Sequence, residues 1–349
     1  MIPAAEFHLI RCTEQLIDFI PPWRALFERD PEAKPFQSAE WLVPWWKQFG
    51  GEELCAVAIV QGPNVVGFLP FYIYCDVLKG ERQLMPLGVG TTDYLDGLFA
   101  PECSTEAIGR AVEWLRGQVR HDVFCAAQLP NRSRLLLPLR QRVREREILV
   151  SQSEPCSRMP AVTMEELPQK IRRNAMYYRN RARRCGSLEL VQADDSNWER
   201  IFAALVQLHT LRWRSRGKEG VLVDERVILW HREAIPQLLH AGLLRLMALR
   251  LNDQIIGVLY SLVDRMRQGR TQYFYITAYS PEHSGLRPGT LLIAFAAEHA
   301  AREGVATIDM LRGDEDYKQI WHMEKVPTWC ITLFAAMSEA ESPREETAA

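Results

Sequence analysis

Residues 54–69, LCAVAIVQGPNVVGFL, align without a gap on residues 244–259, LRLMALRLNDQIIGVL, at a constant offset of 190 residues. Each stretch is an apolar run, a short turn (Gln61 to Asn64; Leu251 to Gln254) and a second apolar run, with Val-Val-Gly-Phe-Leu set against Ile-Ile-Gly-Val-Leu. Two apolar runs joined by a turn of Gly, Pro, Asn and Asp read as an antiparallel hairpin. The same hairpin twice in one chain predicts one domain type present twice.

The segments downstream extend the repeat. In the first half Glu81 to Leu87 reads as a third strand, Ser104 to Arg120 as a helix and Val123 to Leu129 as a strand. In the second half Thr271 to Ser280 reads as a strand with Tyr273, Tyr275, Thr277 and Tyr279 on one face. A helix over Thr290 to Glu303 and a strand over Val305 to Leu311 follow. Each half therefore has the order strand, strand, strand, helix, strand, which predicts an α/β chain of two like domains. The expected boundaries are 1–160 for the first domain, 161–186 for a basic linking helix, 187–338 for the second domain and 339–349 for a tail.

Composition narrows the function classes. The chain has 349 residues, 47% of them hydrophobic and 25% charged, as expected of a soluble protein with a substantial core. Its net charge of −2 provides no global field toward nucleic acid or an anionic membrane, which leaves only local patches. No apolar run approaches the roughly 20 residues that span a bilayer. The start, MIPAAEFHLIRC, lacks the basic-then-apolar layout of a signal peptide. The eight cysteines are scattered, with no CxxC pair and no clustered histidines, which favours reduced thiols in a cytoplasm over disulfides or a metal site. The segment after Ser338, EAESPREETAA, reads as disordered.

Near the N-terminus Ser38 is placed to cap a helix in which Trp41, Leu42, Trp45, Trp46 and Phe49 recur at helical spacing before Gly50-Gly51. Three tryptophans on one amphipathic face predict core or interdomain packing. Between the repeats, Lys170 to Arg184 contains seven basic residues and no acidic one, with Ile171, Ala175, Tyr178 and Ala182 as an apolar stripe. It reads as a basic amphipathic helix stopped by Gly186, either a solvated face or a contact for the phosphates of a cofactor, a tRNA or an anionic partner. A second helix is expected from about Asn197 to Arg216, with His209 beside its apolar face as a satisfied packing histidine.

The chemistry concentrates after the second hairpin. Ser284-Gly285-Leu286-Arg287-Pro288-Gly289-Thr290 lies between the tyrosine-rich strand and an apolar helix. Glycines leave amides uncovered at a helix N-terminus, where partial positive charge stabilises phosphate, so this loop is a candidate anion site. The corresponding first-half loop, Leu98 to Cys103, has no glycine and carries Glu102, so one such site per chain is expected. Next comes Asp309-Met310-Leu311-Arg312-Gly313-Asp314-Glu315-Asp316-Tyr317-Lys318-Gln319-Ile320-Trp321, with polar residues massed at the C-terminal end of a strand, where α/β folds place ligand contacts.

This succession of strand, Pro-Gly-Thr-Leu-Leu helix, strand ending in Asp, then LRGDEDYKQIW resembles the CelD-like (cellulose-biosynthesis) acetyltransferases of the GNAT superfamily, relatives of the Fem-type transferases. Further matches are Pro35-Phe36-Gln37-Ser38 with Trp41, Gly90 to Tyr94 with Asp96, and Leu208-His209 with Arg212-Trp213 and Gly217; together they cover roughly residues 35 to 335. The resemblance implies tandem GNAT-like domains, each a mixed, largely antiparallel twisted sheet flanked by helices, and acyl transfer from acetyl-CoA or another acyl-CoA to an amine. It implies a pyrophosphate loop at Arg287, Pro288, Gly289 and Thr290, although Arg287 stands where the superfamily has a glycine. The pantetheine strand then maps to Tyr275, Ile276, Thr277, Ala278 and Tyr279.

On the same resemblance Tyr317 is the candidate acid for the departing thiolate, and Asp314 or Glu315 the candidate base, directly or through water. Asp309, Arg312, Lys318 and Trp213 are candidate acceptor contacts; Arg312 and Lys318 suit an acidic acceptor or structural pairing with Asp309 and Asp314. Three classes follow: a cytoplasmic acyl-CoA N-acyltransferase acting on a small molecule, an amino sugar or a polysaccharide precursor; a Fem-like transferase using aminoacyl-tRNA; and a non-catalytic module of a polysaccharide-synthesis assembly. No metal is expected in any of them.

Overall fold

The two repeated segments fold as antiparallel hairpins in one and the same register. Val57 faces Leu69, Ala58 faces Phe68 and Ile59 faces Gly67 in the first; Met247 faces Leu259, Ala248 faces Val258 and Leu249 faces Gly257 in the second. Both ladders slip at equivalent points, after Ile59 and after Leu249, and resume as Val60 with Val65 and Arg250 with Ile255. A shared bulge is a stronger mark of common architecture than a shared strand, because it fixes the local twist as well as the pairing.

A computed structural model describes residues 4–51, 53–142, 148–265, 269–313 and 315–334, with the backbone alone described for 141–142 and 316–317. The first half runs β1 (Glu6–Ile10), α1 (Thr13–Asp18), α2 (Ile20–Arg29), α3 (Ala39–Phe49), β2 (Glu53–Leu54), β3 (Ala56–Gln61), β4 (Asn64–Leu69), β5 (Phe71–Asp76), β6 (Glu81–Pro86), β7 (Leu98–Phe99), α4 (Thr105–Gln118), β8 (Val123–Pro130), α5 (Leu136–Arg142) and β9 (Ile148–Pro160). The second runs α6 (Gln169–Cys185), β10 (Leu188–Gln192), α7 (Trp198–Arg214), α8 (Glu225–His240), β11 (Leu244–Leu251), β12 (Gln254–Val263), β13 (Thr271–Tyr279), α9 (Pro288–Arg302), β14 (Thr307–Arg312), α10 (Asp316–Ile320) and β15 (Glu324–Phe334). The expected tail after Ser338 lies outside the described residues.

Strands β1, β3, β4 and β7 form one small sheet, and the remaining strands form a single mixed, mostly antiparallel sheet in the order β10-β11-β12-β13-β14-β9-β15-β8-β6-β5-β2. The first half splits between the two at Pro70, which has no N–H to give to a ladder, whereas its counterpart β12 runs unbroken from Gln254 to Val263. At the centre of the large sheet the halves exchange their last strands. β9 pairs with β14 of the second half, and β15 pairs with β8 of the first as well as with β9.

The tryptophan helix packs between the halves. Trp41 is fully buried, its ring 4.6 Å from Trp230 of α8 and 5.2 Å from Tyr275 of β13. The Trp230 indole N–H donates to the Trp41 carbonyl at 3.1 Å. Each such aromatic pair adds about 0.5–1.5 kcal/mol beyond the area it buries. Ser38 stands at the expected N-cap, but its hydroxyl makes no capping bond and is buried without a partner. The side-chain cap belongs instead to the 3-10 turn before it, Pro35–Gln37, where Gln37 Oε1 accepts from the Lys34 amide at 2.7 Å.

Candidate active site

The site begins where two parallel strands part. β13 and β14 pair only over Thr271 with Thr307, Gln272 with Ile308 and Tyr273 with Asp309, although β13 continues to Tyr279 and β14 to Arg312. Parallel neighbours that stop pairing leave a wedge that can admit an extended ligand beside the backbone.

Beyond the open end lies the loop before α9. Arg287 occupies the N-cap position in a left-handed conformation (φ 50°, ψ 53°) and Pro288 opens the helix, two residues earlier than the spacing predicts. A Cβ placed on Gly289 would lie 2.9 Å from Cε1 of Tyr279, so the backbone passes directly against that ring and a side chain there would have to displace it. Arginines converge on this corner. The Arg212 guanidinium of α7 lies 4.4 Å over the Tyr279 ring and donates to the Thr277 carbonyl at 3.0 Å. Arg181 of α6 reaches within 3.8 Å of where a Cβ on Gly285 would stand. Lys170, Arg173, Tyr177, Arg181 and Arg184 are exposed at helical spacing along α6 and lead to the loop.

The closed end of the wedge is polar and buried. Asp309, fully buried, accepts from the Tyr94 hydroxyl at 2.6 Å, Arg158 Nε at 2.7 Å and the Leu311 amide at 2.8 Å. Arg158 Nη2 also donates to the Tyr94 oxygen at 2.9 Å. Burial and the Asp309 charge push the Tyr94 hydroxyl far above the usual tyrosine range, so it stays protonated. Beside this group Arg312 Nε pairs with Asp93 at 3.1 Å, while burial raises the Asp93 carboxyl to about 6.

Tyr94 is held by the first-half motifs. The Trp41 and Trp45 indole N–H groups donate to the Thr92 and Thr91 hydroxyls at 3.0 and 2.7 Å. The Gln37 amide donates to the Tyr94 carbonyl, and the Phe36 ring packs 5.3 Å from Tyr273. Tyr275 returns the contact, donating its hydroxyl to the Thr91 carbonyl at 2.7 Å. Gly88, with φ +90°, makes the turn that Thr92 and Thr91 close by donating their amides to its carbonyl.

The structure thus brings Asp309, Arg312, Lys318 and Glu315 together at one end, and Tyr275 to Tyr279 with Arg287 to Thr290 at the other. Lys318 is almost fully buried, and its ammonium donates to the carbonyls of Leu311, Arg312 and Gly313 and pairs with Glu315 at 2.8 Å, so it clamps the chain's turn after β14. Trp213 lies on α7, 5.9 Å from His209. His209 departs from the expected satisfied histidine: it is buried, its Nδ1 has no partner, and burial with Arg212 nearby pushes it down to about 4. Asp314 and the Tyr317 side chain lie outside the described residues. Arg158 carried no sequence signal, since it stands in an unremarked SRMP segment whose strand pairs across the halves. Tyr94 was visible only as part of a motif. Among the described residues no group of three or more His, Cys, Asp or Glu is placed to hold a metal ion, and no helix is long and apolar enough to cross a membrane.

Residues 169–319 match the family described as Acetyltransferase (GNAT) domain. No curated protein matches the chain. Among solved structures, FemX aligns with a TM-score of 0.65 at 11% identity, covering 95% of this chain and 97% of that one. A conserved protein of unknown function from Bacteroides thetaiotaomicron aligns at 0.60 and 12% identity, covering 96% and 100%. The C-terminal domain of a putative lysylphosphatidylglycerol synthetase from Agrobacterium fabrum aligns at 0.57 and 11% identity, covering 91% and 92%. At these identities the likeness is one of fold alone.

Proposed function

We propose that the second half transfers an acyl group, acetyl in the simplest case, from an acyl-CoA thioester to an amine on a small molecule, an amino sugar or a polysaccharide precursor, in the manner of the CelD-like acetyltransferases its motifs resemble. The observation that carries this reading is the parting of β13 and β14 beside a glycine-backed helix N-terminus. The pantetheine arm would extend along Tyr275 to Tyr279, and the pyrophosphate would meet the backbone of Pro288, Gly289 and Thr290 under Arg287 and Arg181. The close approach of Gly289 to Tyr279 suits a group that must come near backbone amides.

An alkylammonium has an ordinary pKa of about 10.4 and must lose a proton before it attacks the thioester. Glu315 or Asp314 takes that proton in this reading, directly or through water, and Tyr317 returns one to the thiolate. Arg312, with part of its guanidinium open to solvent, contacts the acceptor; Asp309 and Lys318 position the strand end rather than the ligand. Much of the rate would come from holding thioester and amine together.

Titration calorimetry with acetyl-CoA and longer acyl-CoAs tests the reading: saturable binding of one molecule per chain is expected, and the absence of saturable binding to any of them would reject it. A Fem-like transfer from aminoacyl-tRNA is the second reading, favoured by the exposed cationic row on α6. Amino acid transfer that requires tRNA, with no acyl-CoA binding, would select it.

A further inference from the structure

The strands that follow the repeated hairpin give the closed end of the wedge counterparts in the first half, and the counterpart of Asp309 is a thiol. Tyr72 pairs with Met85 and Ile73 with Leu84, as Leu262 pairs with Tyr273 and Val263 with Gln272. Leu84 in turn faces Phe124 in a parallel pair, as Gln272 faces Ile308. The next position along each strand is Cys125 in the first half and Asp309 in the second. Across the exchanged strands, Asp309 faces Arg158 and Cys125 faces Thr332. Where the junction at β14 gathers a carboxylate, an arginine and a tyrosine, the equivalent junction at β8 has Cys125, Thr332 and, two residues before Thr332, Cys330.

Cys125 and Cys330 lie with their sulfurs 3.7 Å apart, although they are separated by 205 positions in the chain. The ladder between β15 and β8 slips between Trp329 and Ile331, and Cys330 is the residue at that slip. Both thiols are only partly buried, unlike Cys55, Cys103 and Cys156, which are enclosed. We infer that Cys125 and Cys330 form a reversible disulfide when the protein meets a peroxide, tying β15 to β8.

The chemistry uses two thiols and one peroxide. The Cys330 thiolate attacks a peroxide oxygen, the O–O bond breaks, and one oxygen leaves as water while the other remains as the Cys330 sulfenic acid. The Cys125 sulfur then attacks that sulfur, the S–S bond forms, the S–O bond breaks, and hydroxide leaves as water with the proton released by Cys125. Two electrons pass from the thiols to the peroxide. Cys330 is the fitting first nucleophile: hydrogen bonds from Cys125 and Thr332 stabilise its thiolate, while the same contact and burial hold the Cys125 thiol in its protonated form. A disulfide needs about 2 Å between sulfurs, so closing it takes side-chain rotation together with a local adjustment of β15 at the slip where Cys330 sits.

The test is to treat the full chain with stoichiometric hydrogen peroxide, alkylate it, and map the peptides without reduction. The expected result is one cross-linked peptide pair containing Cys125 and Cys330, a loss of two free thiols that dithiothreitol restores, and a melting temperature raised by several degrees. Cys125→Ser and Cys330→Ser should each abolish the cross-link and the thermal shift. Recovery of Cys125 as a free thiol beside a Cys330 sulfinic acid, or oxidation confined to the exposed Cys185, would overturn the inference. The outcome does not depend on acyl transfer, so it stands or falls separately from the proposed function.

Discussion

The Tyr94 hydroxyl donates to Asp309 Oδ2 at 2.6 Å, across 215 positions of chain and from one half of the molecule to the other. The same carboxylate oxygen accepts from Arg158 on the exchanged strand, so the floor of the wedge is assembled from segments that share no local sequence. A buried carboxylate with two side-chain donors and a backbone amide is stable only while its partners remain in place.

Removing one partner should therefore cost more than an ordinary surface change. Asp309→Asn is expected to lower stability in urea unfolding by about 3 kcal/mol, the lower end for a broken buried pair because Arg158 keeps some access to water. Tyr94→Phe should lower it by about 2 kcal/mol, the value of one hydrogen bond to a charged group. A loss within about 0.5 kcal/mol for both variants, the level of an inert surface site, would contradict this account of the floor.

Gly289 allows a different test. Any side chain there meets the Tyr279 ring, which also lies under Arg212. Gly289→Asp adds a negative charge where amides would meet pyrophosphate, and acetyl-CoA binding in calorimetry should weaken by roughly 100-fold or more, about 3 kcal/mol. Binding of undiminished affinity would move the cofactor elsewhere.

Asp93 predicts a pH dependence with a definite sign. Burial raises its carboxyl from 3.8 in the free state to about 6, against the lowering effect of Arg312. A group that keeps its proton more tightly in the fold adds stability below pH of about 4, and that stability is lost as pH rises through about 6. Two units correspond to about 3 kcal/mol. The stability of the natural chain relative to Asp93→Asn should therefore fall by about that amount between pH of about 4 and about 7, read from urea midpoints. A pH-independent difference would show that Asp93 does not titrate in that range.

Tyr317→Phe separates catalyst from scaffold. If its hydroxyl protonates the leaving thiolate, kcat should fall by roughly 100-fold or more while acyl-CoA affinity holds, because the interaction is made in the transition state. An unchanged kcat, with chemistry limiting turnover, removes Tyr317 from the mechanism; a parallel loss of affinity assigns it to binding.

What the sequence made legible is what local pattern encodes. The hairpins at Leu54 to Leu69 and Leu244 to Leu259, the basic helix ending at Gly186 and the helix after Pro288 are each set by apolar period, turn residues or caps within about 20 residues. The role of Trp41 as interdomain packing followed from its amphipathic face, but not its indole bond to Thr92, which is a contact between two motifs. Arg158 was illegible for a further reason. Its strand, ILVSQSEPCSRMP, carries no sustained apolar alternation, and its partner Asp309 belongs to a strand that a simple duplication would have paired with residues 324–334. A period of 190 residues reveals that a unit recurs; it carries no information on which copy of a strand completes which sheet.

The exchange of β9 and β15 also sets a timetable. When the ribosome has made the first half, β8 has no neighbour on its outer side, because the strand destined for that place, Glu324–Phe334, is the last described element to be synthesised. β9 waits likewise for β14 and β15. Two sheet edges stay unpaired through the translation of the entire second half, a period in which open edges invite pairing with other nascent chains. For this protein, a premature stop a few dozen codons from Phe334 would leave both halves unfinished rather than one.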